Sequence, residues 1–253
     1  RIDARFPQPL VLLVAQHDDT GWQVTVDQYF FNEVYCEFCR CNGAPTLRHP
    51  ADMCDCNVDV IDTVIDQLAQ DPMRHFIYVE TGFFARWWDT QPPKKKALTK
   101  QLVEAGQLEF INGAWCMHDE ASPYYVEMID QTTRGHQFLK QNFGDAAIPR
   151  GTWQIDPFGH SNTEAWLLGA EAGFESLYWG RTDYQDVALR TSNKGKDNNQ
   201  WLEWVWRGSE SLHSQADIFA GELTTGQYAA PISAWQPRPH SFAPVVFCAA
   251  ILI

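Results

Sequence analysis

The sequence predicts a parallel α/β protein, with its strands arranged as a β/α barrel or as a doubly wound sheet. Strand-like and helix-like segments alternate at least four times between residues 10 and 180, the pattern that parallel sheets with crossover helices produce. The strand-like segments are short apolar runs, typical of strands buried on both faces. Hydrophobic residues make up 45% of the 253 residues, enough for the core of one large domain or two small ones.

Each predicted element rests on a local pattern. Short apolar runs predict strands over 10–15, 76–80, 108–112, 151–155, 175–179 and 201–206. Helical spacing of apolar residues, or a following glycine or proline, predicts helices over 58–68, 98–105, 125–143 and 163–172. From residue 226 onward the patterns are interrupted by prolines, at Pro231, Pro237, Pro239 and Pro244.

Charge and hydropathy exclude two classes of partner. The chain has 19 Lys plus Arg against 32 Asp plus Glu, a formal charge of −13, whereas binding to nucleic acid or anionic lipid needs clustered basic residues. The longest apolar run, 243–253, contains Pro244 and is too short to cross a membrane. We therefore expect no nucleic-acid partner and no membrane-spanning segment.

Five of the seven cysteines lie between residues 36 and 56. Their spacing is irregular for a zinc module, which usually shows paired CxxC motifs or a CxxC with spaced histidines. The interpretation we favour is a Cys-rich insertion over about residues 35–57, with disulfides or free thiols. A small zinc site in this stretch is the alternative.

Polar side chains follow several of the predicted strands, where a parallel sheet brings them to one rim. His17 and Asp19 follow the first strand, Asp119 and Glu120 the third, and Asp156 the fourth. The residues at 17 and 19 point the same way in an extended chain, so an imidazole and a carboxylate face a common point, as a zinc site requires. An isolated pair of this kind is more often two hydrogen-bonded loop residues. Asp156, between a strand and a helix, suits a nucleophile, a metal ligand or a helix cap.

Five blocks of sequence in fixed order resemble the lysosomal-type α-mannosidases of glycoside hydrolase family 38. They are 17–22 (His-Asp-Asp-Thr-Gly-Trp) with 25–30; 74–80 with 83–88 (Phe-Phe-Ala-Arg-Trp-Trp); 108–113 with Trp115 and 119–121 (Asp-Glu-Ala); 153–161 (Trp-Gln-Ile-Asp-Pro-Phe-Gly-His-Ser); and 180–186 (Gly-Arg-Thr-Asp-Tyr-Gln-Asp). Long motifs in order are specific. The resemblance makes 1–230 a partial catalytic domain and 231–253 a divergent tail. Ala15 departs from it, because the family usually has histidine there.

The resemblance implies both a fold and a site. The fold is an incomplete seven-stranded, TIM-like β/α barrel that binds one Zn²⁺ through His17, Asp19 and Asp156. Asp156 is also the nucleophile in retaining hydrolysis of α-linked mannose in glycoprotein oligosaccharides. Trp22, Phe158 and Arg181 match positions that line the mannose subsite. From their residue types alone, Trp22 also suits core packing and Arg181 a surface ion pair.

The resemblance also bears on location and on the activity of this chain. It implies a lysosome, a vacuole or another part of the secretory pathway. The general acid/base aspartate and a fourth zinc ligand, a histidine, are expected beyond residue 253, so the isolated chain is expected to be weak or inactive. Alternatives are a non-catalytic fragment that binds mannosides or zinc, and a zinc-dependent carbohydrate deacetylase. Oligomerisation and dependence on further C-terminal domains stay open.

Overall fold

The computed structural model describes residues 12–15, 17–22, 25–31, 57–121, 123–192, 202–222 and 249–252. The helices are α1 Val26–Phe31, α2 Asn57–Leu68, α3 Thr81–Thr90, α4 Pro93–Glu104, α5 Tyr125–Phe143, a π-helix Glu164–Ala170 and α6 Tyr184–Ser192. The strands are β1 Leu12–Ala15, β2 Phe76–Tyr78, β3 Leu108–Phe110, β4 Gly151–Gln154, β5 Ser176–Trp179, β6 Glu203–Arg207, β7 Asp217–Glu222 and β8 Ala249–Leu252. The mixed α/β class that the sequence predicts is confirmed.

The strands form two four-stranded sheets, ordered β3-β2-β1-β8 and β4-β5-β7-β6. In the first sheet β1, β2 and β3 are parallel, with Ala15 opposite Ile77, and β8 is antiparallel at the edge. In the second sheet β4, β5 and β7 are parallel and β6 is antiparallel at the edge. Within the described ranges both sheets are open, and they do not close into a seven-stranded barrel.

Asn112 connects the two sheets at the break between β3 and β4. Its amide N–H donates to the Gly151 carbonyl at 3.2 Å, and its side chain donates to the Trp153 carbonyl at 2.8 Å. Its Oδ1 accepts hydrogen bonds from the Thr152 hydroxyl and the Trp153 amide. Because Asn112 has a positive φ of 62°, its backbone leaves the extended conformation, and its buried side chain takes the place of the missing strand ladder.

The core has layers on both faces of the first sheet. Phe76, Tyr78, Leu108 and Phe110 belong to an aromatic cluster with buried residues of helices α2 to α5. Neighbouring side chains of a strand point to opposite faces, and Ile77 belongs to a second cluster, whose other buried members are Val79, Ile111, Trp153 and Ile155. Since Trp153 and Ile155 come from the β4 segment, the two sheets share this inner core.

Local signals explain several element boundaries. Thr25 and Gln28 form a reciprocal capping box before α1, with Thr25 N–H donating to Gln28 Oε1 at 2.8 Å. Gly144, at φ 78°, ends α5, and its N–H donates to the Lys140 carbonyl, as expected for a glycine after a helix. Helix α5 occupies the range 125–143 that the sequence predicts.

Other elements differ from the sequence prediction. The pattern does not predict α3, because six of its ten residues are buried and a helix buried on most sides lacks a clear apolar stripe. It also misses α6 and β7, and the predicted helix 163–172 contains the π-helix.

Two predicted regions lie largely beyond what the structure describes. Apart from Asn57, which begins α2, the Cys-rich insertion 35–57 lies outside the described residues. In the tail 231–253 the described residues are those of β8. In the described part of the chain, no helix is both long enough and apolar enough to span a membrane.

Candidate active site

His17, Asp19 and Asp156 lie together just beyond the carboxyl ends of β1 and β4. His17 Nε2 is 3.6 Å from Asp19 Oδ1 and 4.0 Å from Asp156 Oδ2. One ligand atom from each residue lies within 4.8 Å of the other two. The structure therefore brings together the three predicted side chains, two from the end of β1 and one from the end of β4.

The three donors fit a divalent cation. Ligand atoms at about 2.0–2.2 Å from a zinc ion lie at most about 4.4 Å from one another, and both measured distances from His17 fall within that limit. One imidazole nitrogen with two carboxylate oxygens is a donor set that suits zinc. Burial raises the pKa of Asp19 against the opposing effect of His17, and the nearby Asp156 carboxylate adds to the rise. A cation between the two carboxylates would relieve their repulsion.

Glu80 lies behind His17, just beyond the end of β2. Its carboxylate is 1% exposed, and Oε1 is 3.7 Å from His17 Nδ1. Burial lowers the pKa of His17, but Glu80, Asp19 and Asp156 together raise it above its ordinary value. A carboxylate behind a metal-binding histidine commonly orients the ring. The sequence marks Glu80 as a carboxylate at a strand end but gives no sign of this contact.

Arg181, which follows β5, forms an ion pair with Asp156. Its Nη2 is 2.6 Å from Asp156 Oδ1, whereas Asp156 Oδ2 faces His17. The two oxygens of one carboxylate thus have separate partners, so the carboxylate is held from two sides. Arg181 therefore contacts the site itself and not a remote surface acid.

Trp22 lies three residues after Asp19 and Phe158 two residues after Asp156, and both aromatic rings are exposed. Their exposed fractions are 71% and 76%, so the alternative of core packing for Trp22 does not describe this structure. The Arg181 guanidinium lies 6.0 Å from the centre of the Phe158 ring, which puts Phe158 beside the Asp156 ion pair. An exposed aromatic face is a surface on which a sugar ring can stack.

Asp119 and Glu120 lie outside the three-residue cluster. They line an adjoining cleft of about 360 Å³ together with Pro157, Phe158 and Gly159. Asp119 Oδ1 accepts the Ala121 N–H at 3.0 Å and so closes a local turn. Glu120 Oε1 lies 2.9 Å from His160 Nδ1, a contact that the sequence does not indicate because the two residues are 40 positions apart.

Comparison with known proteins shows the family to which the chain belongs. Residues 10–245 match the Glycosyl hydrolases family 38 N-terminal domain. The chain is 50% identical over 210 residues to an alpha-mannosidase of Arabidopsis thaliana, covering 83% of this chain and 18% of that protein. It is 47% identical to an alpha-mannosidase of Canavalia ensiformis, covering 87% and 20%, and 42% identical to the lysosomal alpha-mannosidase of Homo sapiens, covering 85% and 19%.

A solved structure is similar in fold. An alpha-mannosidase from Enterococcus faecalis aligns with a TM-score of 0.50 at 21% identity, covering 66% of this chain and 17% of that one. The chain spans about a fifth of the length of the curated relatives that it matches. The match over 10–245 and the identities of 42–50% show that this chain belongs to glycosyl hydrolase family 38, in the N-terminal domain of that family.

Proposed function

We propose that this chain is part of a zinc-dependent enzyme that hydrolyses α-linked mannose with retention of configuration at the anomeric carbon. The observation that carries the proposal is the meeting of His17, Asp19 and Asp156 around one point at the strand ends. In a chain of family 38, that point is where we expect the sugar and a metal ion to meet. The substrate class proposed is the α-mannoside of glycoprotein oligosaccharides, and the place proposed is a lysosome, a vacuole or another secretory compartment.

Asp156 takes the role of the nucleophile in this proposal. Arg181 holds Oδ1 by an ion pair and Oδ2 faces His17, so the Asp156 carboxylate has a defined orientation for attack on the anomeric carbon. Bond formation from this carboxylate breaks the bond to the leaving oxygen, which takes a proton from a second carboxyl group. Water then gives a proton back to that second carboxylate and attacks the anomeric carbon, which breaks the bond to Asp156 and restores the configuration. We propose that the second carboxyl group, the acid/base, comes from sequence after residue 253, together with a fourth metal ligand.

The other residues of the site would bind the zinc ion and orient the mannose ring. His17 and Asp19 would hold the zinc ion with Asp156, and when bound the ion supplies Lewis-acid polarisation of sugar hydroxyls. The exposed rings of Trp22 and Phe158 offer apolar faces to the mannose ring. Arg181 holds the proposed nucleophile in place through its ion pair with Asp156 Oδ1.

The fold proposed for the whole protein is a closed β/α barrel. Two observations support it: the parallel strands β1, β2, β3, β4, β5 and β7 follow one another in chain order, and Asn112 with the shared inner core joins the two sheets. Further strands would be needed to close the barrel.

Zinc titration of the full 253-residue chain tests the proposal. We expect the wild-type chain to bind one zinc ion, and Asp19→Asn to weaken binding at least about tenfold, because a ligand charge is lost. Asp27→Asn is the matched control, since Asp27 forms its ion pair with Arg86, and its zinc affinity should stay within about twofold of wild type. Absence of zinc binding in the folded wild-type chain would contradict the proposed metal site.

Turnover of a chromogenic α-mannoside separates catalysis from binding. We expect the isolated chain to bind zinc and to hydrolyse the substrate weakly or not at all. Zinc binding without turnover agrees with the non-catalytic version of the proposal for the isolated chain, whereas near-normal zinc-dependent turnover would show that the acid/base lies within these residues. Acetate release from an N-acetylated glycan would support the deacetylase alternative, which the family match does not favour.

A further inference from the structure

A buried pair formed by Glu120 and His160 connects the ends of three strands. Glu120 follows β3, His160 follows β4, and their side chains are 3% and 8% exposed. His160 Nδ1 is 2.9 Å from Glu120 Oε1, and His160 Nε2 is 2.8 Å from the Arg181 carbonyl after β5. Glu120 Oε2 accepts the Ser161 N–H. These contacts tie together the loops that carry Asp156 and Arg181.

The hydrogen-bond chemistry assigns protons to this pair. A carbonyl oxygen only accepts, so His160 Nε2 carries a hydrogen and donates it to Arg181. Glu120 Oε2 already accepts from Ser161, and a charged carboxylate also accepts the second ring hydrogen, from Nδ1. Although burial lowers the pKa of His160, its bonds to Glu120 and to the Arg181 carbonyl raise it overall. His160 thus donates to the Arg181 carbonyl through Nε2 and is hydrogen-bonded to Glu120 through Nδ1.

The Glu120–His160 pair belongs to a closed series of contacts that includes Asp156, the proposed nucleophile. From Asp156 the chain runs four residues to His160, His160 holds the Arg181 carbonyl, and the Arg181 side chain returns to Asp156 Oδ1 at 2.6 Å. The Trp179 ring packs against the His160 ring, with 4.8 Å between the ring centres. Removal of the His160 imidazole would therefore remove the hydrogen bond to the Arg181 carbonyl and leave the Arg181 guanidinium unchanged.

We infer that Glu120 and His160 are positioning residues, which set Arg181 against Asp156 and thereby fix the direction of the Asp156 carboxylate. This inference rests on the proposed function for the role of Asp156 itself. The hydrogen bond of His160 to the Arg181 carbonyl is the contact through which the pair acts on Asp156. The charged groups facing His160 are Glu120, Glu164 from the π-helix and Glu222 at the end of β7.

Two measurements on the full 253-residue chain test the inference, the first with zinc alone as the probe. Glu120→Gln and His160→Asn should raise the dissociation constant for zinc about tenfold or more, as loss of outer-shell support does. His75→Asn is the matched control: His75 also bonds to a carbonyl, that of Gly106, but it lies at the amino end of β2, away from the site. Its zinc dissociation constant should stay within about twofold of wild type.

The second measurement is nitrogen-15 NMR of the histidine rings and arginine side chains without zinc. In wild type we expect a doubly protonated His160 ring and slowly exchanging guanidinium protons on Arg181, and in Glu120→Gln we expect both signals to be lost. A role confined to folding would leave the Arg181 signal unchanged in the folded variant.

The outcomes separate this inference from the proposed function. If wild type binds no zinc but the NMR signals respond to Glu120→Gln, the metal proposal fails and the positioning inference stands. If zinc binds equally well to wild type and to folded Glu120→Gln, the inference is overturned and the metal proposal stands. A neutral His160 ring in folded wild type also overturns it, so the test does not depend on whether His160→Asn folds.

Discussion

Each oxygen of the Asp156 carboxylate has its own partner in the site. One of its oxygens faces His17 at 4.0 Å and the other meets Arg181 at 2.6 Å, so the same carboxylate serves the proposed metal position and an ion pair. His17 in turn has Asp19 near one ring nitrogen and Glu80 near the other. Side chains with two defined partners hold their direction, which is what a preorganised site requires.

Glu80→Gln should weaken zinc binding about tenfold to a hundredfold, because the buried carboxylate behind His17 orients the ring and makes it a better donor. Calorimetric titration with zinc measures the effect. Glu109→Gln is a suitable control, since Glu109 is exposed on β3 and distant from the metal position. Equal zinc affinities for the Glu80 and Glu109 variants would contradict the role given to Glu80.

The stability contributed by His160 should depend on pH. Because its pKa is raised in the folded chain, the contribution is fully present below the unfolded pKa of about 6.5 and is lost as the pH rises through the folded value. We expect His160→Asn to lower the free energy of unfolding by about 2 kcal/mol in the acidic range and by less in alkaline buffer. Urea denaturation at a series of pH values measures this, and the same cost at every pH would show that His160 is not charged in the fold.

The sequence predicts the cluster of His17, Asp19 and Asp156 better than its surroundings. Parallel strands carry the residues after their carboxyl ends to one rim, so strand order alone brings these side chains together. Glu80 and His160 are different, because their importance lies in pairwise contacts with residues on other strands. No local spacing encodes such contacts, and only the packed structure reveals them.

At the scale of elements, Asn112 is the connection on which the arrangement of the two sheets depends. Its side chain makes three hydrogen bonds to β4 while its backbone takes a positive φ. Asn112→Ala should lower the free energy of unfolding by about 3 kcal/mol, because buried partners on β4 lose their bonds. Chemical denaturation measures the change.

Asn112→Gly separates the side chain from the backbone, since glycine accepts a positive φ without strain. We expect the free energy of unfolding of Asn112→Gly to fall by a similar amount. Asn142 is a half-buried asparagine that bonds to Trp88 and Phe138, and Asn142→Ala should lower the free energy of unfolding by about 1 kcal/mol. A glycine variant as stable as wild type would mean that the sheets do not rely on the Asn112 side chain.

Helix α5 lies so close to the loop after β3 that no side chain fits between them. A Cβ added at Gly135 would be 1.9 Å from the Gly113 carbonyl oxygen, so Gly135→Ala must displace the helix or the loop. We expect a loss of about 3 kcal/mol in the free energy of unfolding. Gly159→Ala, where nothing lies within 4 Å, should change stability by less than about 0.5 kcal/mol; equal stabilities would exclude the close approach.

The predictability of each element follows from its burial pattern. Helix α5 has an apolar stripe and a terminal glycine, and the sequence predicts both of its ends. Helix α3 buries Phe83, Phe84, Trp87 and Trp88 around much of its surface, which hides the helical period. The break between β3 and β4 depends on one residue with positive φ, which a run of apolar residues does not reveal.

At the scale of the whole molecule, the parallel strands in chain order and the shared inner core place the carboxyl ends of both sheets on one side. That placement makes one rim out of loops from β1, β2, β3, β4 and β5, the region where α/β proteins bind ligands. Membership in family 38 agrees with such a rim. We expect one cation to bind there between His17, Asp19 and Asp156.

Anomalous X-ray scattering at the zinc absorption edge, from crystals of the full chain grown with zinc, tests this binding position. We expect an anomalous peak within about 2.0–2.2 Å of His17 Nε2 and of one oxygen each from Asp19 and Asp156, and a much weaker peak in Asp19→Asn. A fully occupied zinc bound elsewhere, with no density between these three side chains, would contradict it.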